Sequence, residues 1–269
     1  MSRALAAAVV EGGADAALAV CRACVTWLPM TGASITIMDD EQGQEPVCAT
    51  DPGAARIDEL QFSLGDGPCV ESFRTGRAVL VADITDPAET RWPVFAAAAA
   101  ETGARGMFVF PLHVGATKIG VLDCYRDTPG GLSDQDLSGA LRAADAAVWL
   151  LLEHPDPNSI IGDHDPNSTD TDGADSGQWW DGLTLSRAEV HQATGALIAQ
   201  SGLDAPAALA RLRALAFRTG RDITEVADDV LARRLRLGPD GAWQTTSTDH
   251  PTDGRPGGHD NTGREDSDP

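Results

Sequence analysis

The sequence predicts an α+β domain, with an antiparallel sheet flanked by helices, followed by an all-α bundle of three helices. Three observations lead to this prediction. In the first 153 residues, strand-like runs joined by tight turns alternate with helical patterns. Residues 183–238 carry apolar side chains at helical spacing in three successive segments. Residues 154–182, between them, are rich in Asp, Pro and Gly and too polar to bury a core, so they are predicted to form a flexible acidic linker.

The first domain is predicted over residues 1–153 and begins with an Ala-rich helix over residues 4–28. The next elements are a hairpin over residues 33–38 and 46–50, a short amphipathic segment over 56–64, a helical turn over 70–74 and a strand over 79–82. A helix over 92–102, a second hairpin over 107–114 and 117–125, and a long helix over 134–152 follow. Because hairpins join neighbouring strands, the sheet is expected to be antiparallel.

The second domain is predicted over residues 183–238. Ser186 and Glu189 have the spacing of a capping box, which predicts the start of the first helix. Apolar residues of the third helix recur as far as Leu235. The other boundaries are predicted from glycine stops and N-cap residues, at Gly202, Asp204, Gly220 and either Asp222 or Thr224.

Charge is distributed unevenly along the chain. The whole sequence has a formal net charge of −21, yet residues 183–238 carry eight arginines against six acidic residues. Such a basic segment is the usual electrostatic footprint of a nucleic-acid partner, although arginines also solvate the outside of many helical bundles. Residues 239–269 are predicted to be a disordered acidic tail. An acidic remainder repels RNA, so any RNA binding is expected to be modest and salt-sensitive.

No targeting or membrane segment is predicted. The apolar run Leu5–Val10 is interrupted by Glu11, well short of a signal-peptide core. No window reaches the roughly 18 uninterrupted apolar residues of a spanning helix. We therefore expect a cytoplasmic protein.

Small and apolar residues recur in a fixed order through the three helices of the second domain, at Ala193, Gly195, Leu197, Ile198, Ala208, Leu209, Leu212, Arg213, Ala216, Ile223, Val226 and Ala227. With this pattern the segment resembles the ANTAR family, the RNA-binding modules of bacterial transcription antiterminators. The match covers all three helices in order. It departs from the family at Thr194, where many members carry lysine.

The resemblance implies a protein that binds hairpins in nascent transcripts, prevents terminator formation and lets transcription proceed. Pairs of hairpins suit a homodimer, which the helices over residues 4–28 and 134–152 are long enough to build. Arginine and histidine side chains are expected to contact phosphates, and Phe217 or His191 is available to stack on a loop base. The candidate RNA-binding residues are Arg187, His191, Arg213, Phe217, Arg218 and Arg221.

Four motifs in the first domain carry a second resemblance. They are the runs LGDGPC at 64–69, FRTGR at 73–77, RWP at 91–93, and FPL at 110–112 continuing to GVL at 120–122. With these motifs the domain resembles the GAF family of small-molecule sensors, over residues 5–152. Nothing in the sequence selects a ligand, no cofactor is predicted, and a ligand-free dimerising domain remains open. Five aromatic residues either line a ligand cavity or fill the core: Trp92, Phe95, Phe108, Phe110 and Tyr125.

A phosphoacceptor receiver domain is the main alternative for this region. Asp39, Asp40 and Glu41 resemble its acidic cluster, with Asp83 and Lys118 as later partners. A receiver, however, needs strands that alternate with helices in a parallel sheet. The sequence instead predicts two hairpins and a long helix before the first strand, so the acidic run is better explained as an exposed turn.

The five cysteines are scattered, which argues against a disulfide framework in a cytoplasmic protein. Cys21 and Cys24 form a C-x-x-C pair inside a helix, without a second pair at zinc-ligand spacing, so no metal site is predicted. Cys69 follows Gly-Pro at the start of a helical turn, where amide donors lower a thiol pKa. It is the candidate redox residue, with a small core residue as the plainer interpretation.

No Ser/His/Asp set, phosphate loop or metal cluster is recognisable, so no catalytic site is predicted. Two alternatives to the antiterminator hypothesis remain. One is a redox-sensing or thiol-dependent protein centred on Cys69. The other is a regulator whose helical bundle binds a protein partner. DNA binding is less favoured, because no helix-turn-helix pair with a strongly basic recognition helix is evident.

Overall fold

A computed structural model describes residues 1–11, 16–40, 43–153, 176–238 and 241–245. The helices are α1 (Ser2–Glu11), α2 (Ala16–Trp27), α3 (Pro52–Leu64), α4 (Pro68–Thr75), α5 (Pro93–Glu101), α6 (Asp134–Glu153), α7 (Ser176–Ser201), α8 (Ala205–Thr219) and α9 (Ile223–Leu231). The strands are β1 (Gly32–Met38), β2 (Gln44–Ala49), β3 (Val79–Val81), β4 (Gly106–Val114), β5 (Thr117–Arg126), β6 (Leu235–Leu237) and β7 (Trp243–Thr245).

The first domain is built on a five-stranded sheet with the order β2-β1-β5-β4-β3. Every pairing in it is antiparallel, and the two predicted hairpins are the pairs β1–β2 and β4–β5. In the register of the central pair, Ile35 lies opposite Leu122. The predicted α+β class is thus confirmed. The receiver alternative is excluded, because that fold requires parallel strands.

Alternating residues of the central strands supply two separate cores, as the period-2 geometry of a strand requires. Phe108 and Phe110 face the layer formed by α1, α2 and α6. Met107 and Val109, one position along, face the layer formed by α3, α4 and α5. The five aromatics considered as a ligand cavity are all buried and divide between these two faces. They therefore fill two cores and cannot line one cavity together.

Helix α3 begins earlier than the predicted amphipathic segment and is fixed at both ends. The Asp51 carboxylate accepts a hydrogen bond from the Ala54 amide at 3.0 Å, which caps the first turn. The same carboxylate accepts the Tyr125 hydroxyl hydrogen bond at 2.8 Å, so the cap is tied to β5. Gly65 ends the helix with φ +63°, in the left-handed region that favours glycine. This anchoring sets the position of α3 against the sheet.

The helical module differs from the prediction at its start. Helix α7 begins at Ser176, so Ser186 lies inside it and the proposed capping box is wrong. Residues 176–182 of the predicted linker therefore belong to this helix, which ends at Ser201, just before Gly202 with φ +69°. Residues 154–175 of that linker lie outside the described residues.

The end of the module also differs. Helix α9 ends at Leu231, and Arg233 follows with φ +59°, so the chain leaves the helix before Leu235. Leu235 and Leu237 instead lie in β6, which pairs with β7, and both side chains are buried against the helices. Residues 241–245 were predicted to belong to a disordered tail but form part of this hairpin. Residues 239–240 and 246–269 of that tail lie outside the described residues.

Candidate nucleic-acid interface

Helices α7, α8 and α9 enclose one apolar core, centred on buried residues such as Leu197, Leu212 and Val226. Helix α8 is capped by Asp204, whose carboxylate accepts a hydrogen bond from the Ala207 amide at 2.9 Å. The same core contains Phe62, which is carried by α3 of the first domain and is fully buried. The helical module is therefore docked on the first domain through an aromatic side chain shared by both.

The deepest contact between the two domains is made by Arg187 of α7, whose side chain is 0% exposed. Its guanidinium donates to Asp58 Oδ2 at 2.6 Å, to the Gln44 carbonyl oxygen at 3.1 Å and to Glu59 Oε2 at 3.5 Å. The Phe62 ring covers the same group, with 4.5 Å from the guanidinium carbon to the ring centroid. Arg187 thus inserts a cation into the interior of the first domain.

Arg187 meets a buried polar network beneath α3. Asp58 Oδ1 accepts a hydrogen bond from the Thr36 hydroxyl at 2.6 Å, so this carboxylate joins β1 to the arginine. Burial raises the pKa of Glu59, although the positive charge of Arg187 opposes that change. The sheet, α3 and α7 thus share one network of buried hydrogen-bonding groups.

A second buried carboxylate lies in the same layer. Gln61 Nε2 donates to Asp123 Oδ2 at 2.7 Å, and Gln61 Oε1 accepts from the Cys69 amide at 2.7 Å. Burial raises the pKa of Asp123 to about 7, with the nearby charge of Asp58 adding to the increase. Asp123 therefore holds its proton over much of the range in which an ordinary aspartate is ionised.

Arg213 of α8 makes the second basic contact. Its Nε donates to the Phe62 carbonyl oxygen at 2.9 Å, at the C-terminal end of α3, where the helix dipole favours a cation. Its guanidinium carbon lies 5.5 Å from the centroid of the Phe62 ring. Burial and the neighbouring Arg187 lower the pKa of Arg213 to about 10. Arg187 and Arg213 thus approach Phe62 together.

These positions correct the prediction for two candidate RNA-binding residues. Arg187 and Arg213 were expected to contact RNA phosphates, but both are buried against the first domain and cannot meet a phosphate in this arrangement. The sequence did contain a signal for this. Arg213 falls at the i+4 position of the stripe formed by Leu209, Leu212 and Ala216, and Arg187 lies three residues before the buried Val190.

The other four candidates lie nearer to solvent, and their contact with RNA stays a prediction. His191 is partly buried, and its Nε2 lies 3.1 Å from Glu45 Oε1 without the alignment of a hydrogen bond. Phe217 is 66% exposed, which is unusual for an aromatic side chain, and Arg218 beside it is exposed. Arg221 is held by ion pairs with acidic residues of α9, at 2.8 Å from Asp229 and 3.5 Å from Glu225.

A cleft of about 920 Å³ runs between α3 and α8 beside this exposed group. Phe217 and Arg221 form part of its wall on the module side, and Arg56 of α3 faces them from the first domain. Arg56 is exposed and makes no ion pair with another described residue. Basic groups of both domains thus border one surface.

The structure does not support Cys69 as a redox residue. Its side chain is 0% exposed. Burial and the charges of Asp123 and Asp58 raise the pKa of its thiol, which outweighs the lowering by a backbone amide. The sequence argument considered only the amide and had no means of placing the carboxylates. A buried thiol with a raised pKa is a poor nucleophile.

The remaining cysteines gather where sequence spacing gave no indication of contact. Cys21 of α2 and Cys48 of β2 lie with their sulfur atoms 3.4 Å apart, and both are buried as thiols. The neighbouring Cys24 thiol and burial raise the pKa of Cys124 of β5. All four belong to the core between the sheet and α2, which agrees with their interpretation as packing residues.

The described residues include neither a metal-binding cluster nor a membrane-spanning helix. Among them, no group of three or more His, Cys, Asp or Glu side chains is placed to hold a metal ion. No helix in the described part of the chain is long and apolar enough to cross a membrane.

Comparison with known proteins agrees with this architecture. The family model for the GAF domain matches residues 14–180, and the model for the ANTAR domain matches residues 184–231. The first match covers more than half of the chain, and the second covers the docked helices α7 to α9. A search of curated proteins finds no match.

Solved structures similar to this chain include several GAF domains. The GAF domain of a phosphoenolpyruvate-protein phosphotransferase from Coxiella burnetii is 16% identical, with a TM-score of 0.44, and the match covers 56% of this chain and 90% of that one. The cyanobacteriochrome TePixJ GAF domain is 17% identical, with a TM-score of 0.40 and coverage of 50% and 85%. The type II free methionine-R-sulfoxide reductase from Thermoplasma acidophilum is 15% identical, with a TM-score of 0.37 and coverage of 56% and 95%.

GAF and ANTAR domains are regulatory, the former sensing signals and the latter acting in transcription antitermination. The two domain matches lead to one conclusion. The chain belongs to the GAF domain family and carries an ANTAR domain after the sensor, which makes it a signal-responsive regulator of the antiterminator kind.

Proposed function

We propose that this protein is a cytoplasmic RNA-binding antiterminator whose ANTAR module binds hairpins in nascent transcripts under the control of the GAF domain. The observation that carries the proposal is the exposed group at the end of α8, where Phe217 and Arg218 project together and Arg221 follows one turn later. An aromatic ring beside guanidinium groups matches the chemistry of a hairpin, whose loop offers an unstacked base between phosphates.

The charge of the module supports the same proposal. Residues 183–238 carry eight arginines in a chain of net charge −21, so the basic groups are concentrated where RNA would bind. The proposal includes control of RNA binding by a small molecule that binds the GAF domain.

A homodimer is included in the proposal, because antitermination through paired hairpins suits two modules. The first domain offers a surface for it on α6, where three large apolar residues are exposed at helical spacing: Leu141, Trp149 and Leu152. Trp27 of the adjacent α2 is also exposed. A second copy covering these residues would bury apolar surface that now meets solvent.

The test uses the full chain and a panel of RNA hairpins that differ in loop sequence, at low and near-physiological salt. We expect Arg218→Ala to weaken binding to all hairpins alike and to lower the salt slope by about 1, since one phosphate contact is lost. Phe217→Ala should reduce discrimination between loops, because stacking contributes about 1–3 kcal/mol per base. Arg74→Ala is the matched control, since it removes an exposed arginine from α4 of the sensor.

Two results would contradict the proposal. One is the absence of binding to any hairpin at low salt by a protein shown to be folded. The other is an equal loss of affinity in the Arg218→Ala and Arg74→Ala variants, which would show that only overall charge matters. In either case the alternative in which the module binds a protein partner would become the leading hypothesis.

A further inference from the structure

The contact between the domains uses a small part of the sensor, here named the docking surface: Gln44 of β2 with Asp58, Glu59 and Phe62 of α3. Helix α7 contacts both β2 and α3, and α8 contacts α3. The surface therefore meets the two helices that carry Arg187 and Arg213. Three of the six candidate RNA-binding residues, these two and His191, are turned toward the sensor.

The burial of two arginines in this contact calls for an explanation, because arginine is almost never fully buried without compensation. Moving a guanidinium and a carboxylate out of water costs several kcal/mol per ion, and the attraction between them returns little more than that cost. Apolar residues of similar volume would hold two domains together at least as well. We therefore look to a second role for Arg187 and Arg213, in which the cations meet a different anionic partner.

The docking surface reproduces the chemistry of a nucleotide. Asp58 and Glu59 present anionic oxygens to the Arg187 guanidinium, as a phosphate group does. Phe62 presents an aromatic face to both guanidiniums at 4.5 and 5.5 Å, as a splayed base does. An RNA strand would therefore offer Arg187 the same two kinds of group, an anionic oxygen and an aromatic face, and would offer Arg213 an aromatic face. RNA and the docking surface cannot be bound by these two side chains at once.

We propose that the docked arrangement is an autoinhibited state, in which the docking surface mimics RNA and occupies the basic face of the ANTAR module. The inference rests on the proposed RNA-binding function and names the regulation of that same face. In the undocked state Arg187 and Arg213 join the exposed group at the end of α8 and complete the RNA-binding surface. A signal that separates α3 from α7 then increases RNA affinity without changing any residue of the module.

The size of the effect follows from the docked population. The apparent dissociation constant equals the intrinsic one divided by the fraction of undocked protein. A docked state favoured tenfold therefore weakens RNA binding about tenfold, and a variant that abolishes docking recovers that factor. Docked protein would still bind RNA weakly at low salt through the exposed residues.

The experiment changes the sensor alone, in the full chain. Asp58→Asn removes one carboxylate charge from Arg187 but keeps an oxygen that accepts the Thr36 hydrogen bond. Its matched control is Asp127→Asn, at an exposed position just after β5, which makes the same change in net charge. Phe62→Leu removes the aromatic face but keeps an apolar side chain. Its control is Phe73→Leu, at a buried position in the sensor's own core.

Two quantities are measured for each protein. Amide hydrogen exchange in α3 and α7 reports docking, because separation exposes both helices to solvent. Fluorescence polarisation with the hairpin panel reports RNA affinity. We expect Asp58→Asn and Phe62→Leu to speed exchange in both helices and to tighten RNA binding about tenfold, whereas the controls change affinity less than threefold. Circular dichroism establishes that each variant is folded.

The outcomes separate this inference from the proposed function. Faster exchange without tighter RNA binding would show that docking does not inhibit, and unchanged exchange in both variants would show that these contacts do not hold the domains together. Either result overturns the autoinhibited state while RNA binding by the unmodified protein still stands. Failure of every protein to bind RNA, with exchange altered as expected, would instead refute the proposed function on which the inference depends.

Discussion

Asp123 offers the sharpest test of the buried polar network. Its carboxyl group lies beneath α3, accepts one hydrogen bond from Gln61, and has a pKa raised by burial from 3.8 to about 7. The substitution Asp123→Asn replaces this group with a neutral one of the same shape. The amide oxygen can still accept the Gln61 hydrogen bond, and the amide NH₂ takes the place of the carboxyl proton. The change therefore isolates the cost of the charge.

The direction of the pH effect follows from the raised pKa. Below about pH 4, Asp123 is protonated in the folded and the unfolded protein, so the charge costs nothing. Between about pH 4 and pH 7 the unfolded chain releases the proton while the folded protein keeps it, so the unmodified protein loses stability as the pH rises. A pKa difference of about 3 corresponds to about 4 kcal/mol, which is the full penalty above pH 7.

The assay is urea unfolding of both proteins from pH 4.5 to pH 8, followed by tryptophan fluorescence. We expect Asp123→Asn to exceed the unmodified protein in stability by about 1 kcal/mol at pH 4.5 and about 4 kcal/mol at pH 8. Asp127→Asn, at an exposed position just after β5, is the control and should show no such trend. A difference between Asp123→Asn and the unmodified protein that stays constant with pH would refute the reasoning.

Three further predictions concern other parts of the molecule. Gly65→Ala should destabilise the protein by about 1–2 kcal/mol more than Gly76→Ala. Both glycines have φ near +65°, but only at Gly65 would the added Cβ meet another side chain, with 2.7 Å between the Cβ and Arg213 Nη1. Equal unfolding free energies for the two variants would contradict this. Cys69 should react with iodoacetamide at pH 8 at least a hundredfold more slowly in native protein than in urea, and comparable rates measured by mass spectrometry would show that the thiol is accessible. Trp149→Glu should convert the proposed dimer to a monomer in analytical ultracentrifugation, and a dimer that persists would place the interface elsewhere.

Sequence patterns predicted the elements whose signals lie within a short stretch of the chain. The strands joined by hairpins were predicted to within one or two residues because each pair lies next to its partner in the chain. The stops at Gly202 and Gly220 were predicted because both positions need a positive φ. The start at Ser186 was wrong because a capping pattern does not end a helix that can continue through it.

The contact between the domains was beyond such reasoning. Arg187 and Asp58 lie 129 residues apart, and no spacing rule relates an arginine of one domain to a carboxylate of another. The predicted basic face was therefore treated as solvated, although the apolar neighbours of Arg213 indicated a buried position. Cys69 shows the same limit: its place at a helix start is visible in the sequence, but the carboxylates that raise its pKa are brought to it only by the fold.

Phe62 is encoded in the sensor, yet its ring completes the interior of the ANTAR module. Each domain therefore contributes to the folding free energy of the other while the two are in contact. A change that strengthens the packing around α3 therefore also stabilises the packing of α7, α8 and α9. Separation of the domains leaves the Phe62 ring exposed on the sensor. The two domains, which have distinct sequence patterns, thus share one apolar core in this state.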